Sequence, residues 1–317
     1  MVADERVERS KTIQRRTGKT FHLATRLLPK RTRRATYVLY AFFRIADEVV
    51  DGGMPKAPER QRAELERIRA EALGEREATD PVLAAFAELR ERYGIDDEDV
   101  NAFVDAMATD IAKRRYASYE ELEAYMDGSA AAVGRMMTAV MGPEEPEKAL
   151  PHATALGEAF QLTNFVRDVR EDVEERDRIY LPATTLSDHG VTEGQIRRFE
   201  MDDRFAAAVR AELARAEGLY RKGVTGIKYL PRDCQFPVLL AAVMYAEHHR
   251  LIRRRNYDVL SETPQLGTLR KLTLLAKTRW HWAWSKDPAT VFRRASTVSD
   301  REPTAAGRKC TEWLPIR

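Results

Sequence analysis

At 317 residues, 44% hydrophobic and 32% charged, the chain has enough apolar sequence for a globular core and is not a disordered polymer. Its net charge of +3 conceals a basic C-terminal region: residues 250–317 hold 15 Lys/Arg against 6 Asp/Glu, which favours anionic partners without choosing among phosphorylated substrates, acidic lipid and nucleic acid. The two cysteines, Cys234 and Cys310, have no metal-ligand spacing around them, MVADERVERSK holds no apolar leader, and no run of about 18 apolar residues occurs, so neither a disulfide scaffold, a zinc site nor a membrane span is expected and the expected setting is cytoplasmic.

Helix is predicted nearly everywhere. Val38, Leu39, Phe42, Phe43, Ile45, Ala46 and Val49 recur at three- and four-residue spacings, the pattern of a helix buried on much of its circumference. GGMPKAP (52–58) breaks the chain, ERQRAELERIRAEALG ends at Gly74, and PVLAAFAELRERYG (81–94) repeats that design. DDEDVNAFVDAMATDIAKRRY predicts a helix over 97–116, acidic in its first turn and basic in its last, as the helix dipole favours. SYEELEAYMDGSAAAVGRMMTAVMG follows, before PEEP at 143–146. One long helix is expected from about Ala149 to Arg176, with Pro182 barring any continuation. Further helices are expected at 203–228 and 235–256, on either side of LPRDCQFP, and at 267–284. With no fixed-period repeat and no long linker, the natural reading is a single all-α domain over 1–286 followed by a basic, disordered tail over 287–317.

Carboxylates interrupt two of the most apolar of these helices. In YAFFRIADEVVDGG (40–53), Asp47 and Asp51 stand four residues apart and share one helical face, with Glu48 beside them. In QLTNFVRDVREDVEERDRIYLP, Asn164, Asp168 and Asp172 continue the same four-residue step, with Leu162, Phe165, Val166 and Val169 between them. A single Asp-x-x-x-Asp is commonplace on a solvated helix; two such rows in separate apolar helices are not. Like charges buried face to face cost several kcal/mol per ion unless cations lie between them. Oxygen ligands at this spacing suit Mg²⁺, with Mn²⁺ as a substitute, and Mg²⁺ completes its shell with water and substrate phosphates.

These stretches resemble the two aspartate-rich signatures of the squalene and phytoene synthases, the head-to-head prenyl transferases. TGKTFHLATRLLP (17–29), RRYASYEELEAYMDGSAAAVGRMM (114–137) and NYDVLS (256–261) are similar to further family segments, so the resemblance runs from about residue 10 to about 284. The second signature is the more specific, with Gln161, Asn164, Arg167, Asp168, Glu171, Asp172 and Tyr180-Leu181-Pro182 in order. The resemblance implies the class I isoprenoid synthase fold, a helical domain around a central cavity. It implies that Asp47, Asp51, Asn164, Asp168 and Asp172 hold Mg²⁺ bridging prenyl diphosphates, and that Asp47, Asp51, Asp168, Asp172 and Tyr40 form the catalytic set. Arg44, Gln161, Asn164, Arg167, Phe21 and Tyr125 are then the expected substrate contacts, with Phe43, Met136 and Phe160 among the apolar lining. Two geranylgeranyl diphosphates would condense through a cyclopropylcarbinyl diphosphate to phytoene, in carotenoid biosynthesis, without NADPH.

Thr17, Thr20 and His22 depart from the family's spelling, and Glu262-Thr263 stands where many relatives carry paired arginines, with Arg270 and Lys271 nearby. In LRKLTLLAKTRWHWAWSK (269–286), three of the four tryptophans accompany Lys271, Lys277, Arg279 and Lys286; Trp280 and Trp284 share a helical face and Trp282 points nearly opposite. Peripheral contact with the inner membrane surface is a reading of that segment, core packing another. No nucleic-acid module accompanies the basic tail, so no nucleic-acid partner is expected. The sequence leaves oligomeric state open. Alternatives to phytoene formation are a squalene or dehydrosqualene synthase acting on farnesyl diphosphate, another class I isoprenoid enzyme, and a non-catalytic, lipid-associated helical assembly factor.

Overall fold

The computed structural model describes residues 23–52 and 57–298. Phe21 and the departures at Thr17, Thr20 and His22 lie outside the described residues, as does Cys310. Helix α1 (Lys30–Asp51) buries Leu39, Ala41, Phe42 and Ala46 completely, and Phe42 stacks on Phe86 at 3.9 Å between ring centroids. Phe86 belongs to α3 (Pro81–Tyr93), which follows α2 (Pro58–Leu73). Both α2 and α3 end where the sequence predicts, at glycines with left-handed backbone, Gly74 (φ 76°) and Gly94 (φ 62°), a conformation that side-chain-bearing residues resist.

Helix α4 (Asp97–Asp110) starts at the Asp96 cap but stops six residues short of the expected Tyr116. The Arg114 side chain turns back to donate to the carbonyls of Asp110, Ile111 and Lys113, closing the helix end. Freed from helix, residues 114–117 pair instead with the chain around 179–184: Ile179 N donates to Arg114 O, Ala183 N to Tyr116 O and Thr184 N to Ala117 O. Among the described residues this pairing, with one parallel bridge between Arg115 and Ile179, is the nearest approach to sheet.

The expected helix over 118–142 is α5 (Tyr119–Met126) and α6 (Ala132–Met141), joined by a π-helical turn, Asp127–Ala131. The central helix, α7 (Pro146–Arg167), packs against that turn and α6 at very short range. A Cβ on Gly134 would sit 2.6 Å from Ala153 O, and one on Gly157 2.5 Å from Ala130 O, so glycine is what allows the approach. The long helix predicted to reach Arg176 is in fact broken at Asp168 (φ −101°, ψ 15°), and α8 (Val169–Arg176) follows and ends at Asp177, whose φ is 52°. Main-chain bonds from Asp168 N to Asn164 O and from Asp172 N to Asp168 O, both 2.8 Å, preserve the four-residue step through the bend.

Short helices α9 (Ala183–Asp188) and α10 (Glu193–Arg197) lead into α11 (Asp203–Thr225) and α12 (Arg232–Arg254), which pack with α7. Then come α13 (Thr268–Trp284) and α14 (Pro288–Ala295). Helix α14 differs from the expected disorder over the first part of the 287–317 tail. Asp287 caps its first turn, Val291 and Phe292 are buried, and Phe292 stacks on Tyr220 at 5.8 Å. Composition hides this helix because its cap, its Pro at the first position and four buried residues, Pro288, Val291, Phe292 and Ala295, dock an otherwise polar segment. Residues 299–317 lie outside the described residues. No helix among the described residues is long and apolar enough to cross a membrane.

Candidate active site

Helices α1, α6, α7, α8 and α12 wall a cavity of about 600 Å³. Every described residue of the expected set lines it: Tyr40, Arg44, Asp47 and Asp51 from α1, Tyr125 from α5, and Gln161, Asn164, Arg167, Asp168 and Asp172 from α7, α8 and the bend between them. Away from the carboxylates the lining is mainly apolar, with Leu28, Met137, Met141, Leu156, Ile227 and Leu230, interspersed with Thr25, Thr36, Ser129, Thr138 and His152. Phe43 and Phe160 line the cavity as expected; Met136 is buried in the core instead, and its neighbour Met137 takes the lining position.

Each acidic member of the two rows faces an arginine. Asp47 pairs with Arg44, which also reaches Glu48 at 3.6 Å; Asp168 receives both Arg167 Nε, at 2.6 Å, and Nη2. Arg178 Nη1 donates to Asp51 Oδ1 and Arg176 Nε to Asp51 Oδ2, each at 3.0 Å, while Arg176 Nη1 lies 3.4 Å from Asp172 Oδ1. Guanidinium groups thus pair with the carboxylates of both rows, and Arg176 reaches one member of each. Among the described residues no three His, Cys, Asp or Glu side chains converge on one metal position.

Burial dominates the electrostatics of the rows. Burial, and then the neighbouring Asp168 carboxylate, push Asp172 up to about 8 against the pull of Arg176. Burial likewise raises Asp47, with Arg44 opposing it. Asn164 has a buried Oδ1 without a hydrogen-bond partner. An orphaned amide oxygen beside Asp168 and Asp172, and an all-oxygen donor set, fit a hard divalent cation.

Three contributors escape the sequence reading. Arg176 and Arg178 bond to a carboxylate 125 and 127 residues away, a proximity that no local spacing encodes. Asp110, at the end of α4, lies in the lining, accepts from Tyr125 Oη at 2.7 Å and is pushed up to about 6, chiefly by burial. Around it Tyr116, Tyr125, Phe165 and Tyr180 form an aromatic wall, with Phe165 stacked on Tyr180 at 3.9 Å. Arg270, near the missing arginine pair, is bound to buried Glu247 at 2.8 Å, and Arg255 pairs with Glu262.

The family described as squalene/phytoene synthase matches residues 14–271. The chain belongs to that family. It is 34% identical to a 15-cis-phytoene synthase of Synechococcus elongatus over 86% of this chain and 91% of the relative. Identity to a phytoene synthase of Cereibacter sphaeroides is 33%, over 87% of this chain and 79% of the relative. Among solved structures, a dehydrosqualene synthase in complex with ligand superposes with a TM-score of 0.81 at 25% identity, covering 89% of this chain and 98% of that one. A squalene synthase from Alicyclobacillus acidocaldarius gives 0.73 at 24% identity, covering 81% and 96%, and attests the shared all-helical fold. The chain is accordingly an all-α enzyme of a prenyl-transferring family, and its relatives of 31–34% identity over most of its length are phytoene synthases.

Proposed function

We propose that this enzyme joins two geranylgeranyl diphosphates head to head to give phytoene, using Mg²⁺ and no nicotinamide. The observation that carries the proposal is the meeting of the two carboxylate rows, with the orphaned Asn164 oxygen, on a cavity whose remaining lining is mainly apolar and aromatic. Asp47 and Asp51 on one wall and Asn164, Asp168 and Asp172 on the other would hold the ions, whose chemistry is to stabilise negative charge on a departing diphosphate. Arg44 and Arg167 stand beside them as further cations. The apolar part of the lining would hold the prenyl chains and exclude water from an allylic cation, with Tyr40, Phe43 and Phe160 presenting aromatic faces to positive charge.

Peripheral contact with a bilayer, suited to lipid-soluble substrates, belongs to the same proposal. It is supported by Trp280 and Trp284, which are 64% and 76% exposed on the face of α13 opposite buried Trp282. The decisive experiment incubates the protein with Mg²⁺ and either farnesyl or geranylgeranyl diphosphate, with and without NADPH. Phytoene from the C20 substrate without NADPH is the expected product. Product only from the C15 substrate, or a saturated central bond formed only with NADPH, overturns the proposal.

A further inference from the structure

Arg176 and Arg178 both bind Asp51, but they are held very differently. Arg178 has a side chain only 5% exposed and is fixed on several sides: Nη1 to Asp51 and, at 3.4 Å, to Tyr180 Oη, and Nη2 to the Asp110 carbonyl at 2.8 Å. It is a pillar of the wall. Arg176 sits at the last turn of α8, 28% exposed, and its bonds all go to carboxylates. One short bond runs from Nε to Asp51, and looser approaches run from Nη1 to Asp172 at 3.4 Å, Glu175 at 3.6 Å and Glu171 at 3.9 Å. Its guanidinium thus lies between the first carboxylate row and the second, the space that divalent ions need.

We propose that Arg176 is a displaceable internal cation. In the substrate-free enzyme it neutralises Asp51 and Asp172 together and so opposes metal entry. Once diphosphate brings its own negative charge to the rows, Arg176 gives up both carboxylates to the incoming ions. Metal binding is thereby linked to diphosphate binding, since a cation bound without substrate must displace the charge-assisted pairs of Arg176 with Asp51 and Asp172. The link is reciprocal: metal must tighten diphosphate by the same factor that diphosphate tightens metal. This rests on the reading of the two rows as metal ligands.

The test is Mn²⁺ binding to the full-length protein, followed by electron paramagnetic resonance of the free ion, with and without inorganic diphosphate. Arg176→Gln should tighten Mn²⁺ about tenfold without diphosphate, and the gap from wild type should close to within about threefold when diphosphate is saturating. Arg170→Gln removes the same charge from the same helix, but Arg170 is bonded to Glu174 and the Leu260 carbonyl; it should leave the diphosphate-free affinity within about twofold of wild type. Adding Asp172→Asn to Arg176→Gln should abolish the gain. Where the glutamine variant does not fold, Arg176→Lys serves, because a single ammonium cannot bridge two carboxylates as a guanidinium fork does; it should tighten Mn²⁺ by about threefold.

Equal or weaker Mn²⁺ binding by the Arg176 variants, with diphosphate still promoting binding in all proteins, overturns the role of Arg176 and leaves the metal reading standing. Absence of Mn²⁺ binding to wild type even with diphosphate overturns the metal reading, and the role of Arg176 with it.

Discussion

Arg178 Nη1 donates to Asp51 Oδ1 at 3.0 Å, tying the end of the first motif to the end of the second across 127 residues of sequence. Removing the charge of Asp51 therefore has two effects. Asp51→Asn should lower turnover by about a hundredfold or more, as loss of one preorganised electrostatic contact does. It should also destabilise the fold by about 3 kcal/mol, because the buried Arg178 guanidinium loses the nearer of its two carboxylate partners, Asp110 lying 4.0 Å away. Steady-state kinetics and urea unfolding read the two separately; wild-type turnover at saturating Mg²⁺ would sink the site assignment, and an unchanged unfolding midpoint would sink the pillar role of Arg178.

A pH signature is expected from Asp110. Its folded-state value of about 6 lies above the ordinary 3.8, so the native state holds a proton that the unfolded chain has already released between about pH 4 and 6. Its contribution to stability is therefore neutral below that window, falls as pH rises through it, and remains unfavourable above it. Arg178 and the Tyr125 hydroxyl offset part of this cost, while Asp51 and Asp47 add to it. Asp110→Asn keeps the acceptor for Tyr125 and has no charge to bury. Relative to wild type it should gain about 3 kcal/mol in unfolding free energy between pH 4 and pH 7. Denaturant melts at the two pH values check this; a constant difference between the proteins contradicts it.

Helix α14 should be needed for folding. Phe292 is 3% exposed against Tyr220, so Phe292→Ala is expected to cost about 3–5 kcal/mol, measured by thermal or urea unfolding. A chain ending at residue 287 should lose still more and expose apolar surface to a dye such as ANS. A truncated protein with an undiminished melting temperature would show that α14 contributes nothing to the core.

For α13, co-sedimentation with vesicles containing acidic lipid should detect the protein, with a blue shift of tryptophan emission as Trp280 and Trp284 leave water. Replacing Leu269, Trp280 and Trp284 together by Ser should weaken binding about tenfold or more, since the three expose large apolar areas on one face. Turnover on detergent-dispersed substrate should persist in this variant. Equal sedimentation of both proteins would remove the bilayer from the account.

The legible part of this molecule is the part written at helical spacing. Gly74 and Gly94 mark real helix ends, and Asp47/Asp51 and Asn164/Asp168/Asp172 do line up on the walls of one cavity, because a four-residue step is a local property. The opposite exposures of Trp280 and Trp282 follow from the same geometry. What was illegible is set by contacts between distant segments. Helix α4 ends early because the chain at 114–117 finds partners at 179–184, and Arg176 and Arg178 owe their roles to Asp51; neither fact has a trace in local propensity. The docked helix α14 was hidden by a basic, polar composition, although its Asp-Pro start was in plain view.

The bend at Asp168 and the left-handed Asp177 bracket α8, which buries a single residue, Val169. A small rotation about the Asp168 hinge would carry Asp172 and Arg176 together while Asn164 stays on α7. In the proposed reaction two ionisations would ask one set of carboxylates to hold first a linear diphosphate and then a bulkier cyclopropyl one, and a short helix hinged at Asp168 would let their spacing change between those steps.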